Sequence, residues 1–130
     1  VITSGTWTKV DFGTEIFDTD NTFDMSTDRW TPAVAGTYFV SAHAHINALA
    51  NAQLERAKVA IYKNGSQYLD SVCYFDFRGT GDAREMTVMI ANAVELDADD
   101  YVEMYVFGTD TSGDPNAGAT SLSGFKIIGA

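Results

Sequence analysis

Cysteine is almost absent from this chain: Cys73 stands alone among 130 residues. One thiol cannot build an intrachain disulfide framework, so stability has to come from a packed core and from any other subunits. Basic residues are also scarce, 8 against 18 acidic ones, for a formal net charge of -10. A surface of that sign repels a polyphosphate backbone, which removes nucleic acid from the expected partners. No apolar run approaches the roughly 20 residues that a spanning helix needs, so membrane insertion is not expected. No signal-peptide pattern opens the chain, and a start at Val1 instead of Met points to a fragment or a processed product. Missing too is any sustained i, i+3, i+4, i+7 apolar repeat. The nearest approach, Asn47 to Lys58, lies between strong strand patterns and is expected to form only a short turn.

What is present is strand alternation from end to end. A hydrophobic content of 45% with 20% charged residues belongs to an ordinary globular domain, and 130 residues make one domain. Trp7 to Phe12 alternates aromatic and polar residues, and Glu15-Ile16-Phe17-Asp18 reads as a second short strand. After an acidic loop through Asp28, Arg29 to Pro32 reads as an edge piece, because proline cannot donate to a ladder. From Thr37 the pattern is strict: Tyr38, Val40, Ala42, Ala44 and Ile46 face one way, and Phe39, Ser41, His43 and His45 the other. Ala57, Val59 and Ile61 share a face in the next strand. That strand ends at Asn64-Gly65, the strongest hairpin turn in the chain, with Tyr68 to Phe77 returning as its partner. Gly79 to Asp82 is expected to turn. Met86, Val88, Ile90, Val94 and Leu96 form one face, Asp97 to Asp100 a turn, and Val102, Met104 and Val106 the core face of another strand. A turn-rich stretch, Thr109 to Ala119, precedes the last strand, Ser121 to Ile128. Eight or more short strands with such punctuation describe an all-β sandwich or barrel. In the last strand Gly124 interrupts a good alternation, which costs pairing strength unless another group packs closely where a side chain would be.

Several stretches occur in the order found in a known family. They are Phe17-Asp18, Trp30, the run from Pro32 through Gly36-Thr37-Tyr38-Phe39-Val40, Lys63-Asn64-Gly65, the turn from Leu96 to Val102, and Leu122-Ser123-Gly124-Phe125-Lys126-Ile127. Together they resemble the globular head of complement subcomponent C-one-q, a jelly roll related to tumour necrosis factor. Asp99 stands where that family usually has glycine, and Leu122 where it has phenylalanine. The opening Trp7 to Phe12 and the scarcity of cysteine look more like the phage and bacterial versions, which in phages usually cap a tail or head fibre. The resemblance implies a homotrimer of ten-stranded antiparallel jelly rolls at a virion surface or outside the cell. Its partners would be fibre or virion proteins and a host cell-surface glycan or protein. Tyr62, Tyr105 and Phe107, opposite the core face by parity, are candidates for the trimer seam or simply cover the second side of one sheet.

Candidate sites remain to be weighed. The segment Cys73 to Arg84 sets Tyr74, Phe75 and Phe77 beside Arg78 and Arg84, the ring and guanidinium mixture that recognition surfaces favour, although alternation through Tyr74 and Phe77 also fits strand packing. Asp97, Asp99 and Asp100 form one acidic cluster, Asp18, Asp20, Asp24 and Asp28 another, and Asp110 and Asp114 a third. Calcium takes such oxygen ligands, and several members of the resembled family bind it, yet no cluster has EF-hand spacing and a solvated acidic surface explains them more simply. No other cofactor is indicated. His43 and His45 point to one face of a strand, a geometry for Zn²⁺, but no third ligand is evident. No nucleophile elbow, phosphate-cradling glycine loop or zinc-protease helix occurs, so a non-enzymatic binding head is expected. A purely structural trimerisation cap or capsid decoration is the alternative, and a glycosidase-like enzyme is not expected.

Overall fold

The computed structural model describes residues 1–79 and 83–129. Among the described residues there are nine strands and no helix. They are β1 (Thr8–Lys9), β2 (Phe23–Asp24), β3 (Arg29–Trp30), β4 (Gly36–Asn47), β5 (Leu54–Lys63), β6 (Ser66–Asp76), β7 (Glu85–Leu96), β8 (Val102–Asp110) and β9 (Asn116–Lys126). One sheet runs β2-β3-β8-β5-β6, with β1 also pairing β8; the other runs β7-β4-β9. Every pairing is antiparallel. The pairs are nested along the chain: β5 with β6, enclosed by β4 with β7, enclosed in turn by β3 with β8.

Alternation in sequence becomes alternation in burial. On β4 the inward Val40, Ala44 and Ile46 are fully buried, as are Val88 and Val94 on β7, Val59 and Ile61 on β5, and Val102 and Met104 on β8. These side chains fill the space between the sheets, and burying each aliphatic chain contributes roughly 1.5–3 kcal/mol relative to leaving it exposed. Pairing of β4 with β7 is unbroken over twelve positions, from Gly36 opposite Leu96 to Asn47 opposite Glu85. A one-residue slip would turn Val88 and Val94 to solvent, so the apolar pattern fixes this register. One polar pair crosses the interior: Asn92 of β7 donates to the buried Ser71 hydroxyl at 2.6 Å.

Two glycines do what the sequence requires of them. Asn64 and Gly65 adopt φ of 52° and 81°, the left-handed pair that lets a two-residue turn match the twist of its strands. At Gly124 a Cβ would lie 2.5 Å from Cζ3 and 2.7 Å from Cη2 of Trp30. The indole thus occupies the place of the missing side chain, and it meets Tyr38 edge-on at 5.4 Å. Trp30, Tyr38 and Gly124 come from β3, β4 and β9, so this contact ties the two sheets together.

Differences from the sequence reading have local causes. Glu15 to Asp18 is not a strand; Ile16 and Phe17 are 85% and 80% exposed, and no partner strand lies along them among the described residues. The Trp7 to Phe12 alternation shrinks to Thr8–Lys9, although Val10 still donates to the Met104 carbonyl at 2.9 Å. The turn expected over Asn47 to Lys58 occupies only residues 48–53, because β5 begins at Leu54. The final strand starts earlier, at Asn116, and stays paired to β4 through a bulge opposite His43 to His45, where Ala119 has a φ of 46°. Thr80, Gly81 and Asp82 of the expected Gly79 to Asp82 turn lie outside the described residues.

Candidate functional site

Strand parity gives the larger sheet an outer face of unusual chemistry for so acidic a chain. With Ala57, Val59 and Ile61 turned inward on β5, Arg56, Lys58 and Tyr62 turn outward. On β8, inward Val102, Met104 and Val106 leave Glu103, Tyr105 and Phe107 on the outer side, and the β6 register sets Tyr74 opposite Lys58. Trp7, just before β1, extends the row. The Lys58 ammonium lies 4.6 Å from the Phe107 ring centre and 5.1 Å from that of Tyr74, and the Arg56 guanidinium lies 5.1 Å from Phe107. Trp7 packs on Phe107 at 5.5 Å and on Tyr62 at 6.1 Å, and Tyr62 stacks on Tyr105 at 3.9 Å. Burial raises the phenol pKa of both Tyr62 and Tyr105, so the two hydroxyls stay neutral hydrogen-bonding groups.

Below this ladder sits Glu103, only 2% exposed. Lys9 and Arg29 pair with its Oε1 at 3.4 and 3.1 Å, and the Arg29 guanidinium also lies 4.1 Å from the Tyr101 ring centre. The hydrogen bond to Glu103 is the main cause that raises the Arg29 pKa. Lys9, Arg29, Arg56 and Lys58 are half of the chain's 8 basic residues. Rings and cations are therefore concentrated on one face, held by β1, β3, β5, β6 and β8.

The structure divides the expected recognition segment. Tyr74 joins the ladder. Phe75 and Phe77 turn to the opposite side, where their rings stack at 6.1 Å and Phe77 packs against the core. Arg78 grips Asp76 through a bidentate ion pair that lowers the Asp76 pKa to about 2, with the Arg78 side-chain hydrogen bond as the largest cause. Arg84 donates to the Asn51 side chain at 3.1 Å, away from the ladder. Tyr62, Tyr105 and Phe107, read as a trimer seam or as cover for one sheet, lie together on the ladder. Phe107 is already only 7% exposed within one chain.

The acidic clusters turn out to be turn-makers. Asp100 accepts from Asn64 Nδ2 at 2.7 Å, from Lys63 Nζ at 2.8 Å and from the Asp97 amide at 2.8 Å. It thereby clasps the β5–β6 hairpin to the β7–β8 turn, and these bonds, the one from Lys63 first, depress its pKa. Its oxygens are thus engaged within the protein, while Asp97 and Asp99 are exposed. Elsewhere Asp18 accepts from the Phe23 amide, Asp28 from the Phe12 amide, Asp110 from the Leu49 and Ser112 amides, and Asp114 from the Ser4 amide. Short carboxylates satisfy loop N–H groups in this way at many turns. No group of three or more His, Cys, Asp or Glu side chains that could hold a metal ion occurs among the described residues. His45 contacts Thr87 at 3.0 Å and Glu85 at 3.5 Å, a surface pairing beside His43 on the same strand face.

Sequence reasoning missed Trp7, Arg56, Lys58 and Tyr101 as members of one surface. A signal was available for Lys58, since a residue next to inward Val59 must face outward; the approach of Trp7 depends on a pairing with β8 nearly 100 residues away. No protein-family model and no curated protein matches the chain.

Proposed function

We propose that this chain is a non-enzymatic, trimeric jelly-roll head of a fibre-like bacteriophage protein, displayed at the virion surface to bind a host-surface glycan or protein. The observation that carries this reading is the contrast between the two outer sheet faces. The outer face of β7-β4-β9 bears Phe39, Ser41, His43 and His45, Thr87, Met89, Ala91 and Ala93, and Ser121, Ser123 and Phe125. Among the described residues its only carboxylates are Glu85 and Glu95, one at each end of β7, in a chain with 18 acidic residues. Met89 and Phe125 are 67% and 61% exposed. A face whose middle carries small and apolar side chains fits copies of itself, and closed rotational symmetry gives every copy the same contact. The nested order of strand pairs supports the jelly-roll assignment, since that architecture is built from two such antiparallel keys.

The aromatic and basic ladder on the opposite sheet is then left outward in all three copies. Ring faces and fixed cations suit sugars and anionic surface groups, and three modest sites on one particle reinforce each other by avidity. A purely structural cap is favoured by one observation, that Trp7 already covers Phe107. Binding of the domain to host cells and to a glycan array decides between them. The receptor reading expects binding that Lys58→Glu abolishes while the oligomer persists; binding to no host surface and no glycan would leave the cap.

A further inference from the structure

A cavity of about 290 Å³ opens beside the contact between β3 and β4, lined by Asp20, Thr22, Trp30, Pro32, Val34 and Tyr38 among others. It lies apart from the ladder and from the β7-β4-β9 face, and neither use of those surfaces requires it. Its hydrogen-bonding inventory is one-sided. The Trp30 indole N–H donates to the Thr22 hydroxyl at 3.1 Å, the Thr22 hydroxyl faces Asp18 Oδ1 at 3.4 Å, and the Tyr38 hydroxyl donates to the Val34 carbonyl at 2.6 Å. Every side-chain donor on the lining is thus engaged within the protein.

What remains are acceptors and ring surface. Asp20 makes no hydrogen bond or ion pair among the described residues. Its charge nevertheless reaches the site: burial first, and the Asp20 carboxylate second, raise the Tyr38 pKa. Tyr38, whose hydroxyl donates its hydrogen bond to the Val34 carbonyl, keeps its lone pairs, and Trp30 and Tyr38 stand at 88° to each other, presenting two differently oriented π systems. No basic side chain lines the cavity; Lys126, the strand partner of Tyr38, lies against Gly36 instead. An anion would meet Asp20 without any compensating cation. A ligand that supplies donors and positive charge meets a carboxylate, a phenol oxygen with acceptor capacity left and two aromatic rings.

We infer that this cavity is a binding site for a small primary ammonium compound, with Asp20 as counter-ion, Tyr38 as second acceptor and Trp30 as the ring wall. Its volume lies at the small end of ligand pockets, which limits the occupant to a few heavy atoms or to one amino-bearing group. The turn that carries Asp20 is built independently of it, by Asp18 accepting from the Thr22 and Phe23 amides, so Asp20 can be changed without dismantling the cavity.

The test is a titration of the ¹⁵N-labelled protein with n-butylammonium, against 1-butanol as the uncharged analogue. The indole N–H signals of the two tryptophans are followed, Trp7 serving as internal control. The expected result is a saturable shift of the Trp30 signal alone, with a dissociation constant on the order of 1 mM, no saturable shift with butanol, and binding weakened about fivefold or more in Asp20→Asn. Tyr38→Phe, which keeps the ring and removes the acceptor, is expected to weaken binding while leaving the thermal midpoint within a few degrees of the parent. No saturable shift of Trp30 with the amine would overturn the inference. So would equal binding of butanol, or an Asp20→Asn protein that binds the amine as well as the parent does.

Discussion

Gly124→Ala is the most informative single substitution the structure offers, because the replacement adds one methyl group at a place where the space is already filled. The new Cβ would stand 2.5 Å from Trp30 Cζ3, 2.7 Å from Cη2 and 3.1 Å from the Phe39 carbonyl oxygen, so the indole has to move. Gly124 is not among the glycines with positive φ, so alanine meets no backbone strain. On an unobstructed strand the exchange would stabilise by about 0.4–1 kcal/mol through the unfolded chain. Overpacking opposes this with about 1–3 kcal/mol, for a net loss on the order of 1–2 kcal/mol. In urea that loss lowers the midpoint by about 0.5–1 M, measured at one fixed protein concentration because oligomers gain stability by mass action. A double-mutant cycle isolates the cause. Trp30→Phe withdraws the far edge of the indole, and in that background Gly124→Ala should become neutral or stabilising, a coupling of about 1 kcal/mol or more. If Gly124→Ala leaves the midpoint unchanged, or costs the same in both backgrounds, the close approach of Trp30 is not the reason for glycine.

Other consequences can be checked with equal directness. Ala91→Glu places a charge in the middle of the β7-β4-β9 face, away from Glu85 and Glu95 at its ends, and sedimentation should show the proposed trimer falling to single chains with an unchanged far-ultraviolet spectrum. Gly65→Ala, at a φ of 81°, should destabilise by about 1 kcal/mol in urea, because the turn needs the left-handed conformation. For Asp76 the folded pKa is depressed to about 2 from the ordinary value of 3.8. Its contribution is therefore complete above pH 3.8 and is lost as pH falls towards 2; Asp76→Asn should flatten the acid limb of a stability-against-pH curve in that window. Removing both cations over the buried Glu103, with Lys9→Met and Arg29→Met together, should cost about 3 kcal/mol in the same urea assay, since it strands a buried carboxylate.

The parts of the fold that were legible in the sequence are those fixed by local period and by turn chemistry. Tyr38 through Ile46 alternates so strictly that only one register with β7 keeps the interior apolar, and Asn64-Gly65 announces its own turn. Gly124 was legible as a place where something must approach closely, although only the structure identifies the approaching group as Trp30. What escaped depends on long-range partners. Ile16 and Phe17 carry a strand-like pattern but have nothing to pair with in one chain. The second half of the β5–β6 hairpin is irregular between Gln67 and Val72, with Leu69 at a φ of 48°, an irregularity that no turn residue signals. The aspartates look alike in sequence, and only their amide partners reveal Asp100 as a clasp and Asp28 as a brace for Phe12. Parity places Tyr62, Tyr105 and Phe107 on one outer face; Trp7, arriving from the far end of the chain, packs on Tyr62 and Phe107.

Light scattering coupled to gel filtration, at micromolar concentration and physiological salt, tests the proposed trimer most directly. The expected species has three times the 14.1 kDa of one chain, and Ala91→Glu converts it to single chains. A parent protein that elutes as a stable single chain would contradict it, because the β7-β4-β9 face, with charge only at its ends, would then be open to water.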